Sequence, residues 1–490
     1  MIKLNTICCF LCLFSLASCN SWLDVKPYGE VEQDKMFEDE QGFLQTLSGS
    51  YLLLTNSAAY GQELTIGFPE EIVHYWQKRS EFYEFDYTNA EVVSRLDATW
   101  LQMYKAIANI NLLLQNLEGR NPDDFDYYNL IKGEALGLRA YLHLDLLNLY
   151  GPVLKDGGMD KEAIPYHEEF SNQTVKLMTA TEVMDRIQRD LDSAYFLLAD
   201  DPIKIYGRDE YKDLESYEEV TAPEVKGLAF SYRGCRMNYY AVCATLARFY
   251  IQKEDYEKAL KYANEVIVDG ADIFSLVQRK DMSGSSKDVM FERELVWSLY
   301  DSETQEHLVS VIKGSDYSLD GDNKDYIYTD GRSYGSNEDY RYNYWFEHYK
   351  GTPAYWYCCK YNRTYSTTDQ ADQTPWRTIV PMIRLSELYY IAAEANLETN
   401  PAESYRLLNV VRKSRNISNL PTNLETNVGE LRDQILYEYQ KDFWGEGRLF
   451  YLYKRLFLDI KTREENIAAS REIYELPIPQ DEIEFGDNNN

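Results

Sequence analysis

Leu16-Ala17-Ser18-Cys19 is the stretch whose residue types and spacing point most directly to a reaction. Two small residues precede a cysteine, Lys3 supplies a positive start, and Ile7 to Leu16 form a short, mostly apolar segment. That layout is a signal peptide, residues 1–18, cut before Cys19. The expected chemistry is lipidation: the Cys19 thiol takes a diacylglycerol, and its freed amino group takes a further acyl chain. Each buried methylene contributes roughly 0.8 kcal/mol, so three chains hold a protein firmly at a membrane. The apolar segment is itself too short to span a bilayer, which needs about 20 residues.

Other reactive patterns are missing from the sequence. The five histidines, His74, His143, His167, His307 and His348, show neither an HExxH pair nor another metal spacing. His143 sits in a helical stretch and is expected to be a packed helix residue. There is no GxSxG elbow, GxxxxGK[ST] loop or GxGxxG turn. Carboxylate pairs suited to glycoside hydrolysis carry no information in a chain with 81 acidic residues. Cys8, Cys9 and Cys12 leave with the leader, and Cys235, Cys243, Cys358 and Cys359 read as small core residues rather than a disulfide framework. The run Asp320-Gly-Asp-Asn-Lys-Asp325 offers oxygens to Ca²⁺ but lacks EF-hand spacing and its closing Glu, so a solvated loop and no cofactor are expected.

The elements that must position any site are mainly helical. Apolar residues recur at helical spacing over 40–55, 94–118, 127–150, 180–199, 237–252, 255–268, 384–397, 401–414, 428–443 and 447–457. Ala247, Tyr250, Ala259, Ala263 and Val266 have the same spacing as Ala392, Ala395, Ser404, Leu408 and Val411, which is that of tetratricopeptide-like helix pairs. Residues 317–365 differ: 12 tyrosines, with Trp345, Phe346, Trp356 and scattered Gly and Asp, show no helical period. Long loops and short strands are expected there, and long loops in compact proteins are usually functional. A second aromatic patch is His74-Tyr75-Trp76 with Tyr83, Phe85 and Tyr87. Trp100, Trp297 and Trp444 fall in regular elements and are assigned to the core. The balance of 50 basic against 81 acidic residues, a net charge of −31, argues against nucleic acid and against an electrostatic grip on anionic lipid.

Six segments, in order, resemble the SusD/RagB family of Bacteroidota surface lipoproteins. They are Cys19-Asn-Ser-Trp-Leu-Asp-Val-Lys-Pro, the Trp100 to Asn111 helix, Glu134-Ala-Leu-Gly-Leu-Arg-Ala-Tyr through Leu149-Tyr-Gly-Pro-Val, Ile383-Arg-Leu-Ser-Glu-Leu-Tyr-Tyr, Glu438 to Arg448 and Leu476-Pro-Ile-Pro-Gln. Tyr439-Gln440 replace a basic pair common in the family, and the stretch after Pro152 is altered. The resemblance implies a mainly α, SusD-like fold over residues 19–490, with halves 19–235 and 236–490 and a Tyr-rich insertion at 301–375. It implies a non-enzymatic outer-membrane lipoprotein that faces the cell exterior. Such a protein binds oligosaccharides and delivers them, as a hinged lid, to a SusC-like TonB-dependent transporter. A peptide-binding RagB-like member, a surface hydrolase and a scaffold without a ligand are the alternatives. Glu134, Arg139, Glu446 and Arg448 are then structural residues, in buried ion pairs or helix-end contacts. A pyranose packs its C–H face on Trp or Tyr while polar neighbours bind its hydroxyls. The family's ligand regions here contain Tyr75, Trp76 and Arg79, and Tyr328, Tyr344 and Trp345, chosen by type and region.

Overall fold

The computed structural model describes residues 35–76, 79–208, 233–283, 287–300, 308, 311–312, 317–351, 354–361 and 379–486. The leader and the Cys19 lipidation site lie outside the described residues, as do parts of the Tyr-rich insertion. Helices of five or more residues are labelled α1 (Glu40–Leu54), α2 (Phe68–Ile72), α3 (Ala90–Leu117), α4 (Tyr128–Tyr150), α5 (Ala180–Leu197), α6 (Tyr239–Gln252) and α7 (Tyr256–Asn264). They continue with α8 (Gly321–Tyr328), α9 (Tyr340–Tyr344), α10 (Leu385–Asn396), α11 (Pro401–Ser414), α12 (Val428–Asp442), α13 (Arg448–Leu456) and α14 (Gln480–Phe485).

All ten expected helical stretches form, and seven of them start at a side chain that satisfies a free backbone N–H group. Asn89 accepts from the Glu91 amide, so α3 starts at Ala90, four residues earlier than its apolar pattern suggests. Thr179 and Glu182 form a reciprocal capping box on α5. Asn238, Asp255, Asn400 and Asn427 cap α6, α7, α11 and α12 in the same manner. Helix α4 is apolar nearly all round and is buried along most of its length, packed on α3 and α5. The ten small and apolar positions of the two repeated patterns are all buried where α6 packs on α7 and α10 on α11.

Two small sheets frame the helices. Strand β1 (Leu295–Tyr300) pairs antiparallel with β5 (Ile379–Arg384), Tyr300 opposite Ile379. Strands β2 (Ser318–Leu319), β4 (Tyr355–Cys358) and β3 (Phe346–Tyr349) form a second sheet with β4 in the middle. A short hairpin, β6 (Ile460–Lys461) and β7 (Asn466–Ile467), follows α13. One apolar cluster runs through both halves of the chain, from Phe37 to Leu476.

The short strands expected over 317–365 form as β2, β3 and β4, but the absence of helix expected there needs correction. Helices α8 and α9 form there, and the Asp-rich run is a helix start rather than a solvated loop. The Asp320 side chain accepts from the Asn323 amide at 2.6 Å and caps α8. Tyrosines across the chain act as core residues whose hydroxyls reach backbone carbonyls. Tyr150 donates to Leu96, Tyr104 to Pro165, Tyr361 to Gly445 and Tyr405 to Leu420, at 2.7–2.8 Å. Each buries a large ring and satisfies its hydroxyl in the same step.

The Gly445-Glu446-Gly447 turn joins the two halves. Gly445 and Gly447 have φ of +74° and +65°, and a Cβ on Gly447 would lie 2.2 Å from the Leu64 carbonyl oxygen. The turn directs the amides of Glu446 and Gly447 at one oxygen of buried Glu70, 3.0 Å from each. Burial pushes the Glu70 carboxyl up to about 8 despite these bonds. The Glu446 carboxylate meets Lys360 and Arg384. The expected structural charges are thus buried and ion-paired: Glu134 with Arg233, Arg139 with Asp190 at 2.6 Å, and Arg448 beside Asp145 at 3.4 Å. His143 is packed as expected, its Nδ1 2.8 Å from the Arg139 carbonyl and its ring stacked on Tyr166.

Candidate functional site

The aromatic loop after α2, the exposed face of α8 and the β6–β7 hairpin enclose a cavity of about 400 Å³. Three elements far apart in sequence supply it. The loop gives His74, Tyr75, Trp76, Arg79 and Tyr83. Helix α8 gives Asn323, Tyr326 and Ile327, and the hairpin gives Lys461, Thr462, Arg463 and Glu464. Gln440 at the end of α12 completes the floor.

The loop takes its shape from two residues with positive φ, His74 (57°) and Phe85 (60°). Their conformations stack the His74 ring on Tyr83, with centroids 3.4 Å apart, and on Phe85 at 5.5 Å. The Tyr83 hydroxyl donates to Glu465 at 3.0 Å, which ties the loop to the hairpin. Burial and the Glu465 carboxylate push the Tyr83 phenol up to about 12, so it stays a neutral donor. Tyr326 donates to the Thr462 carbonyl at 2.9 Å and carries the Arg332 guanidinium over its ring at 4.1 Å.

His74 Nε2 lies 3.0 Å from the Tyr83 carbonyl oxygen, so that nitrogen must carry the proton. Burial pulls the imidazole pKa below its ordinary value and keeps the ring neutral. Nδ1 is therefore a bare acceptor; it is buried, without a hydrogen-bond partner among the described residues, and 3.6 Å from Glu465. A buried polar atom left unpaired costs about 1–3 kcal/mol. The rim charges are mixed: Arg79 sits 4.0 Å from Glu464, and Arg463 bonds Asp322 at 2.8 Å. Among the described residues no group of three or more His, Cys, Asp or Glu is arranged to hold a metal ion.

Of the six residues chosen from sequence, Tyr75, Trp76 and Arg79 line this cavity. Tyr75 and Trp76 form its floor and show little surface: Tyr75 donates to the Gln440 carbonyl, and Trp76 to the Ile66 carbonyl at 3.0 Å. Arg79 stands at the rim, its guanidinium 5.7 Å from the Tyr83 ring. The other three lie elsewhere. Tyr328 and Trp345 are fully buried, donating to the Lys441 carbonyl at 2.9 Å and the Val289 carbonyl at 2.7 Å. Neither can offer a ring face to a ligand, which corrects their assignment. Tyr344 is half-buried beside Tyr340 and Lys287, outside the cavity lining. The residues not chosen are Tyr83, His74, Tyr326 and the hairpin Lys461 to Glu464.

Two family models match the chain. One, described as "Starch-binding associating with outer membrane", matches residues 21–210, and the other, "SusD family", matches 285–474. "SusD-like protein P25" of Formosa agariphila is 21% identical over 314 residues, which cover 60% of this chain. The chain spans about half (51%) of that curated relative. A crystal structure of a SusD superfamily protein from Bacteroides thetaiotaomicron superposes with a TM-score of 0.66 at 22% identity, covering 91% of this chain and 98% of that one. A SusD-like carbohydrate binding protein from Bacteroides vulgatus gives 0.66 at 18% identity, covering 92% and 97%. With SusD models matched in both halves and the SusD architecture shared almost end to end, the chain belongs to the SusD/RagB family.

Proposed function

We propose that the protein captures an oligosaccharide in the cavity between the His74–Tyr83 loop, α8 and the β6–β7 hairpin, and does so without catalysing its cleavage. The observation that carries this is the pairing of a ring surface with an unsatisfied acceptor. Tyr83 and Tyr326 supply aromatic surface of the kind that packs against the C–H face of a pyranose. The bare His74 Nδ1, next to Glu465, needs a hydroxyl donor, and a sugar brings many. Arg79, Asn323 and Lys461 add donors around them. A volume of about 400 Å³ is in the range of small-molecule sites, roughly 300–1,000 Å³. A carbohydrate binding protein among the structural neighbours supports the same reading.

The protein is then a lipoprotein anchored through Cys19 in the outer membrane, facing outward, that passes its ligand to a SusC-like TonB-dependent transporter. Family membership and the Leu16-Ala17-Ser18-Cys19 motif support that placement. The test is a calorimetric titration of the lipid-free chain, residues 20–490, against panels of oligosaccharides and peptides, with each mixture analysed for products. Saturable oligosaccharide binding without products is expected. Peptide binding alone would move the protein to a RagB-like role, and cleavage products would overturn the non-catalytic reading.

A further inference from the structure

A second cleft lies away from that cavity, where α4, α6, α10, α12 and α13 converge. Its inner part, about 50 Å³, is lined by three arginines, Arg248, Arg448 and Arg455. An outer cavity of about 360 Å³ shares Asn148, Gln252 and Arg455 with it and adds Pro152, Leu154 and Met159, together with the charged Lys155, Lys253, Glu254 and Lys454.

The three arginines are not equivalent. Arg248 is held by both oxygens of Glu387 at 2.7 and 2.5 Å, and Arg455 by both oxygens of Glu394 at 2.8 and 2.6 Å. Two parallel charge-assisted bonds satisfy a guanidinium well. Arg448 reaches only Asp145, through Nη1 at 3.4 and 3.5 Å, the far limit of a hydrogen bond. Asp145 is also taken by the Tyr60 hydroxyl at 2.9 Å. The Arg448 Nε is buried and has no acceptor among the described residues. The same holds for the hydroxyl of Tyr451, whose ring lies 4.2 Å beneath the Arg448 guanidinium. Both residues are more than nine-tenths buried, at 8% and 6% exposure. Two neighbouring donors thus line a buried cleft and lack an acceptor.

We infer that this cleft binds the C-terminal carboxylate of a polypeptide. A carboxylate accepts from a guanidinium N–H and a phenol O–H at once, and the inner space admits a group of about that size. The outer cavity takes the residue before it, against Pro152, Leu154 and Met159. The tyrosine rings of the cleft lie in its inner part and none lines the outer cavity, so the body of a sugar acid seated there would find no ring to stack on. The site is independent of the oligosaccharide cavity, and its test does not rest on that reading.

The experiment is calorimetry on the lipid-free chain with a short acetylated peptide ending in leucine, its C-terminal amide, sodium acetate and glucuronate. The free acid is expected to bind at least about tenfold more tightly than the amide, the equivalent of about 1.4 kcal/mol. Tyr451→Phe removes only the unpaired hydroxyl. It should weaken the acid several-fold, leave the amide unchanged, and keep the melting temperature at or above the parent's. Arg448→Gln should abolish the preference for the acid. Equal binding of acid and amide, or binding of neither, would overturn the assignment. Tighter binding of glucuronate than of the peptide would overturn the choice of occupant.

Discussion

Glu438→Gln should destabilise the protein by about 3–5 kcal/mol at neutral pH, the usual effect of removing one partner from a buried ion pair. The side chain lies at the centre of a fully buried network. Its oxygens are 2.9 Å from Arg341, 2.6 Å from Arg412 and 3.2 Å from Lys441. Asp339 and Asp442 also hold Arg341, while Glu294 and Asp442 hold Arg415. Four acids (Glu294, Asp339, Glu438, Asp442) therefore balance four bases (Arg341, Arg412, Arg415, Lys441), and amidation of one acid leaves a buried positive charge. The three cations hold the Glu438 carboxyl at about 2, against an ordinary value of 4.5. That gap corresponds to about 3 kcal/mol, in line with the mutational expectation. Because the folded-state pKa is depressed, this stability is fully present above about 4.5 and is lost as pH falls toward about 2. Urea unfolding at pH 7 and at steps down to pH 3 measures it, since urea does not screen charge as guanidinium salt does. The variant should show a lower midpoint at pH 7 and a shallower acid decline. An unfolding free energy within about 1 kcal/mol of the parent at pH 7, or an unchanged acid slope, would show that Glu438 does not hold the network together.

Gly447→Ala places a methyl 2.2 Å from the Leu64 carbonyl oxygen at a φ of +65°, so it should cost more than about 1 kcal/mol and lower the melting temperature. Gly119→Ala, also at positive φ but in open space, serves as the control with a smaller loss. Burial keeps His74 neutral through and below its ordinary pKa of 6.5, so ligand affinity should be flat from pH 8 to 6.5 and fall only in more acid solution, as Nδ1 gains a proton. A rise in affinity on acidification would contradict an acceptor role for that nitrogen. Cys243 and Cys358 are buried, and burial pushes the Cys358 thiol up to about 12. Neither should react with a thiol reagent until the protein unfolds, which mass spectrometry with and without urea will show.

The helices were legible because their signals are local: apolar spacing within each segment, and Asn, Asp or Thr at the start of seven of the ten. The repeated small-residue pattern was legible too, since Ala247, Ala259, Ala392 and Ser404 all serve close helix approach. Helix α8 was missed because its Asp-rich start read as an oxygen-rich loop. Once Asp320 is seen as a cap, the segment sorts itself. Lys324 and Tyr328, at i and i+4, face inward, and Asn323, Tyr326 and Ile327, at i, i+3 and i+4, line the cavity. Lys324 is buried between Tyr342 and Trp356, 3.9 and 3.6 Å from their rings, an arrangement that charge patterning alone does not suggest. Choosing Tyr328 and Trp345 by residue type failed because the Tyr-rich segment needs its own core, and the largest rings fill it. The hairpin's part in the site was beyond reach for another reason: Tyr83 and Glu465 meet across 382 residues, and no local pattern encodes that contact.

A ligand seated between Tyr83 and Tyr326 needs both rings. The most direct measurement is the dissociation constant of the best oligosaccharide from the panel for Tyr83→Ala, Tyr326→Ala and Tyr344→Ala. Loss of each cavity ring should weaken binding by at least about tenfold, in the range of 1–3 kcal/mol for lost ring packing and hydrogen bonding. Tyr344→Ala, outside the cavity, should match the parent. Unchanged affinity in both cavity variants, with loss in Tyr344→Ala, would place the ligand outside this cavity.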